Sequence, residues 1–225
     1  MKNGLGLSTL VPEAFKLADQ IAREGIEREA KLGSKVSCAK GCAACCRWLV
    51  CVSIPEALYI HERLRGCESR RRDDIFQRFR RIKETLEENG LAEALARDLT
   101  RGHGDVTLDH RLHVLSRRYH ALQLPCPFLE QEACSVYPWR PIKCRQYYVT
   151  SPADWCVDPF GKNVRRVSLA HSVGELLATI AADLLGEPWR MIALPLVLDW
   201  ASKHDHLARL QWPRQQLLAR LSEKE

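Results

Sequence analysis

The 225-residue sequence predicts a mainly α fold: a single helical domain with one irregular cysteine-rich patch and at most a short β-hairpin. Three observations carry that expectation. Apolar residues recur every three or four positions along most of the chain, as one face of a helix requires. The breaks between these stretches fall at Gly and Pro, which stop or start helices. Regularity fails mainly over 125–148, where Pro125, Pro127, Pro138 and Pro141 crowd among cysteines.

Taken in order, Pro12 suits the opening of a helix that carries Phe15, Ala18, Ala22 and Ile26, and Gly33 suits its end. The helix runs toward a first cysteine group, where Ala39, Gly41, Ala43 and Ala44 leave the backbone exposed. Pro55 begins a second helix with Ala57, Leu58, Ile60 and Leu64 inward and Gly66 at its close. A third, over about 68–88, shows Ile75, Phe79, Ile82 and Leu86 at helical spacing, with Gly90 beyond it. Residues 91–99 form a short helix and 101–104 a turn. Leu108, Leu112, Leu115, Tyr119 and Leu122 then trace another helical stripe.

In the irregular segment, 126–129 and 134–137 are expected to pair as a hairpin around residues 130–133, with Pro141 starting a helix through Cys144 and Tyr148. Ser172 and Glu175 fit a capping box for a helix carrying Leu176, Ile180 and Leu184 and ending at Gly186. Residues 188–201 and 203–223 read as further helices, broken at Pro195 and Pro213. As domains, 1–160 is expected to hold the cysteine cluster and 161–225 to be a helical extension packed on it.

Composition sets bounds on function. The longest apolar run, Met191 to Leu198, is far short of the roughly 20 residues a membrane span needs. The N-terminus lacks the apolar core of a signal peptide, so a cytoplasmic location is expected. The net charge of +6 comes with arginines at 70–72, 78, 80 and 81, but Asp73, Asp74, Glu84, Glu87 and Glu88 interleave with them. That mixture reads as the solvated face of a helix. No nucleic-acid motif accompanies it, so neither nucleic acid nor a membrane is the expected partner.

The cysteines carry the chemistry. Cys38, Cys42, Cys45 and Cys46 lie within nine residues, and Cys126, Cys134, Cys144 and Cys156 form a looser second group. In a reducing compartment such clusters are metal ligands or redox groups rather than disulfides. Four thiolates suffice for one tetrahedral zinc or one iron–sulfur cluster. In an extended backbone the adjacent Cys45 and Cys46 would face opposite ways, which favours a site with more than one metal atom. The triad Cys38-x3-Cys42-x2-Cys45 also matches radical S-adenosylmethionine enzymes, but their βα alternation is missing here and Ala44 replaces their usual aromatic residue. The bacterial ferredoxin spacing is absent as well.

Taken together, Cys38-x3-Cys42-x2-Cys45-Cys46 followed by Cys126-Pro127-Phe128-Leu129, the run Cys134 to Pro141 and Cys144-Arg145 resembles the YkgJ-type cysteine-cluster proteins, described as zinc- or iron-chelating. The match spans roughly residues 37–156. The family more often has two residues between its first cysteines, where this chain has three. The resemblance implies a metal or iron–sulfur site on these eight cysteines and brings no defined reaction. A similar cluster occurs in flagellin lysine N-methylases, although no glycine-rich methyl-donor loop is evident here.

Arg140 and Arg145, inside the second group, and Arg47, after the first, could offset the negative charge of a thiolate site; Arg140 could equally pair with a surface carboxylate. Tyr137 and Trp139 read as apolar cover. Cys51 reads as a small buried hydrophobe and Cys67 as a free thiol near a helix end. His110, His113 and His120 have spacings that can hold a metal, but eight thiolates compete with them. The expected function is therefore a cytosolic zinc- or iron-chelating protein. The tight four-cysteine run favours iron, as an iron–sulfur cluster, over zinc. A structural zinc-binding interaction module and an iron–sulfur-dependent methyltransferase-like enzyme are the alternatives. Beyond the metal ion, the sequence names no redox partner, protein partner or substrate, and it leaves open whether the chain is an enzyme.

Overall fold

In the computed structural model, which describes residues 4–39, 41–101 and 108–222, the chain enters through a two-residue strand, β1 (Gly4–Leu5), and a 3-10 turn over Leu7–Leu10. These lead into α1 (Val11–Lys31). Pro12 sits in its first turn, where a missing N–H costs nothing, and Gly33 adopts a φ of +80° just past its end. Val11, Ala14, Phe15, Ala18, Ile21 and Ala22 form its buried stripe.

After the first cysteine group, β2 (Cys51–Ser53) turns directly into α2 (Ile54–Arg65), whose first turn is closed by a capping box between Ser53 and Glu56. Then come α3 (Ser69–Glu88), α4 (Ala92–Asp98), β3 (Thr100–Arg101) and α5 (Leu108–Ala121). Ile75, Phe79, Ile82 and Leu86 are all buried, as their spacing predicts. The turn expected at 101–104 lies outside the described residues beyond Arg101.

The expected hairpin is present: β4 (Leu129–Glu130) pairs antiparallel with β5 (Ala133–Cys134). Gln131 and Glu132 both take positive φ, 49° and 56°, which a two-residue turn of this hand requires. The helix after Pro141 is shorter than expected. α6 (Ile142–Arg145) is a single turn and stops before Tyr148. The backbone beyond it is engaged elsewhere: the N–H groups of Val167 and Thr150 donate to the Tyr148 and Arg165 carbonyls, each at 2.9 Å. α7 (Val173–Leu185) begins at Ser172, whose Oγ accepts the Glu175 N–H at 3.4 Å, and ends at Gly186 with φ +66°.

The C-terminal part departs furthest from expectation. Residues 189–193 are a strand, β6 (Trp189–Ala193), rather than the start of a helix. Pro188 and Pro195 leave too short a window for a stable helix. The strand joins two others that would otherwise be edges: it pairs antiparallel with β2 (Val52 opposite Ile192) and with β3 (Thr100 opposite Arg190). A 3-10 turn leads into α8 (Val197–Lys203). The expected helix over 203–223 is broken into a 3-10 turn, a strand β7 (Trp212–Pro213) paired with β1, and α9 (Arg214–Ser222). The fold remains mainly helical, but with three small sheets where only a hairpin was expected. Because β6 is the middle strand of the largest sheet, and α7 packs on α1 and α2, the segment after residue 160 is woven into the core.

One buried cluster joins α1, α2 and α7. A second joins the end of α3 with α4 and α5, closed by Ala193 and Leu196. Cys126 and Cys134 lean on the first cluster, and Leu49 and Cys51 on the second, so the cysteine-bearing loops bridge the two. Gly25 in α1 marks a close approach: a Cβ there would lie 2.6 Å from Leu169 Cδ2 and 3.0 Å from the Ser168 carbonyl. Gly25→Ala should therefore lose about 1 kcal/mol net in a urea melt, since overpacking of roughly 1–3 kcal/mol outweighs about 1 kcal/mol of helix propensity. Among the described residues no helix is long and apolar enough to cross a membrane.

Candidate functional site

The first cysteine group sits on a loop whose small residues permit tight turns. Gly41 takes a φ of +86°, the Cys42 N–H donates to the Ala39 carbonyl at 3.1 Å, and Ala44–Arg47 form a 3-10 turn. The loop is tied to the second group along its length. The Ser37 N–H and Oγ donate to the Val149 and Ser151 carbonyls at 3.0 and 2.5 Å. The Cys126 N–H donates to the Cys46 carbonyl at 2.7 Å, and Trp48 Nε1 to the Cys156 carbonyl at 2.8 Å. Segments 80 to 114 residues apart in sequence thus meet at the cysteines.

All ten cysteines are free thiols. The eight predicted site cysteines interact electrostatically in an ordered way. Cys42 acts on Cys38 and both act on Cys156, while Cys134 acts on Cys126 and both act on Cys144. Cys45 belongs to both neighbourhoods: it acts on Cys38 and Cys156 on one side and on Cys126, Cys134 and Cys144 on the other. Cys46 lies beside it, the two sulfurs being hydrogen-bonded. The expectation that the adjacent pair faces opposite ways supposed an extended backbone. The backbone here is a 3-10 turn rather than extended, so the premise for placing the two sulfurs on separate ions fails. As placed, no three His, Cys, Asp or Glu side chains among the described residues converge as a metal-holding group. The thiols are gathered without being drawn to a common point.

Burial dominates the thiols' acidity. It pushes Cys126 up to about 12 and Cys156 to about 11, and raises Cys38, Cys134 and Cys144 as well. Cys45 is raised first by its hydrogen bond to Cys46 and then by burial. Backbone amides oppose this: the N–H groups of Phe128, Val136 and Val149 donate to the sulfurs of Cys126, Cys134 and Cys38, the last at 3.4 Å. Amides directed at sulfur suit the thiolate form. So many neighbouring thiols can all ionise only beside a compensating cation. The donor set of sulfurs with amide support therefore fits a soft metal or an iron–sulfur cluster.

The two predicted arginines separate. Arg140 stands over the Tyr137 ring at 3.9 Å, donates to the Tyr137 carbonyl at 3.1 Å, and favours the thiolate forms of Cys134 and Cys144. Arg145 is buried and turned away. It pairs with Asp19 at 2.9 Å, donates to the Pro138 and Arg140 carbonyls, and lies over the Phe15 ring at 4.0 Å. It locks the second group's loop onto α1 rather than facing sulfur. Arg47 pairs with Glu132 at 2.8 Å across the two groups.

Trp139 packs against Phe128 and leans on the main core, whereas Tyr137 is exposed except where Arg140 covers it. Cys51 packs on the second apolar cluster, and the Cys67 thiol donates to the Arg63 carbonyl at 3.3 Å near the end of α2. His110 is exposed; His113 and His120 set their rings against Phe160, and His120 Nε2 lies 3.1 Å from the Val157 carbonyl.

Three residues at the site were not singled out from the sequence. Trp48 and Tyr147 stack edge to face at 5.0 Å beside Cys156. The Tyr147 hydroxyl is buried without a well-aligned partner and faces the Cys156 sulfur, whose thiolate it favours. Arg78 lies near Cys126 while paired with Glu130. An aromatic or arginine next to a cysteine group is the only sequence signal for any of them, and it is a weak one. No protein-family model, curated protein or solved structure matches the chain.

Proposed function

We propose that the chain is a cytoplasmic zinc- or iron-chelating protein of the YkgJ-type cysteine-cluster kind, holding more than one metal atom on a single split thiolate site. The observation that carries this reading is the tie between the loop of Cys38 to Cys46 and both ends of the second group, the Cys126 N–H donating to the Cys46 carbonyl and Trp48 Nε1 to the Cys156 carbonyl. Cys45 lies in that loop and acts on thiols of both groups, so as a shared thiolate it completes each group of three to four. Arg140 supplies positive charge against the excess that such a set leaves.

Iron, as an iron–sulfur cluster, is the favoured occupant because a thiol shared by two groups suits a site of several metal atoms. A specific observation favours zinc as the second reading. Around the hairpin, the amides of Phe128 and Val136 each donate to the sulfur two residues earlier, the arrangement of a compact metal knuckle. In that case the module is structural. The chain's partner is the metal ion, and no substrate is assigned to it here.

Anaerobic purification with metal and acid-labile sulfide analysis tests the reading. The expected result is brown protein with iron and sulfide in similar amounts. Colourless protein with stoichiometric zinc and no sulfide selects the structural module. Metal-free protein with its helices intact contradicts both.

A further inference from the structure

A cleft of about 400 Å³ opens beside Cys156, on the side of the thiols away from the hairpin. Its walls are aromatic: Trp48 and Tyr147 separate it from the Cys156 side of the cysteines, and Phe160 lies on the α5 side. Its ionisable lining is basic. His113 and His120 project from α5, Arg166 comes from the segment that pairs with Val149, and among the described residues no carboxylate lines it. A second hollow, of about 550 Å³, adjoins it and shares Tyr147, Val164 and Arg166. This hollow adds Lys143 and His171, again with no carboxylate among the described residues. Two hollows that share lining residues and carry only one sign of charge select for ligand charge.

We propose that this double cleft binds a small anion carried on a flat apolar ring, an aromatic carboxylate or phosphate ester, with Arg166 at the junction holding the anionic group and the Trp48, Tyr147 and Phe160 rings holding the body. An arginine fork matches the planar carboxylate or the phosphate oxygens, and aromatic walls gain most from a flat partner. The binding rests on residues of the cleft alone. The adjacency to Cys156 makes it a ligand site next to the thiols whether or not they hold metal.

The test is calorimetric titration of the protein as purified with phenyl phosphate and benzoate, against inorganic phosphate and benzyl alcohol. Metal content is measured on the same samples. At least one aromatic anion should bind saturably, about tenfold or more tighter than either control. Arg166→Gln should weaken it by about tenfold, and Arg166→Lys by less, with unchanged helicity and metal content. No saturable binding of either aromatic anion overturns the proposal, as does equal binding of the controls or an unchanged affinity in Arg166→Gln. Metal retained without anion binding defeats this inference alone, and anion binding by metal-free protein defeats only the metal reading.

Discussion

Cys45→Ser should empty the whole thiolate site, whereas replacing a cysteine of only one group should leave the other part loaded. The asymmetry follows from position. Cys38 and Cys42 act on Cys156, Cys126 and Cys134 act on Cys144, and Cys45 acts on thiols of both groups. Cys38→Ser or Cys134→Ser should therefore retain about half the metal of the parent. Structural metal contributes on the order of 10 kcal/mol in small thiolate domains, so Cys45→Ser should also lower the melting temperature about as far as chelation lowers that of the parent. Element analysis and calorimetry on the three variants measure both effects. Equal metal loss in all three would remove Cys45's special role.

The second large effect is expected at Glu56, a buried carboxylate outside the thiol groups. Its Oε2 accepts the Ser53 N–H at 3.0 Å and the Ser53 hydroxyl at 2.8 Å, while Oε1 accepts the Ile142 N–H at 2.8 Å. It thus pins the start of α2 to the start of α6, the turn that carries Cys144. Glu56→Ala leaves three donors without their partner and should cost about 3–5 kcal/mol, a large share of the stability of a domain this size. Cys144 should then be alkylated faster in the metal-free protein. Burial also pushes the Glu56 carboxyl above the ordinary range, against the hydrogen bonds that pull it down. The folded state therefore keeps this proton to higher pH than the unfolded state does. Its contribution to stability falls as pH rises from about 4.5 through the raised folded value, and is level above it. Glu56→Gln should abolish that slope in denaturant melts across the mildly acidic range, while losing some stability because an amide N–H must face a donor. A slope unchanged by the substitution would contradict the assignment.

Much of the helical scaffold was legible in the sequence because local signals and tertiary packing agree there. Pro12 and Gly33 bound α1, Pro55 and Gly66 bound α2, and Ile75, Phe79, Ile82 and Leu86 face inward at the spacing that predicted them. β6 was not legible. Its residues, Trp189 to Ala193, become a strand because β2 and β3 offer edges on both sides, and nothing local records that. The site shows the same division. The eight cysteines announce a shared purpose, and the hairpin between Cys126 and Cys134 follows from the prolines and the short polar link. Which thiol lies at the centre depends on the 3-10 turn over Ala44–Arg47 and on the long-range bonds from Cys126 and Trp48. Arg140 and Arg145 look alike in the sequence. One turn of helix between them sends the first toward sulfur and the second into the core beside Asp19 and Phe15.

The central claim is that one split site of shared thiolates holds several metal atoms. Native mass spectrometry of the anaerobically purified chain tests it most directly, because it reads the bound mass and the number of protons displaced together. The account predicts a species carrying more than one metal atom per chain, with the site thiols deprotonated and the signal collapsing to the bare chain in Cys45→Ser. A bare chain with ten protonated thiols under the same conditions, or a single metal atom unaffected by Cys45→Ser, would contradict it.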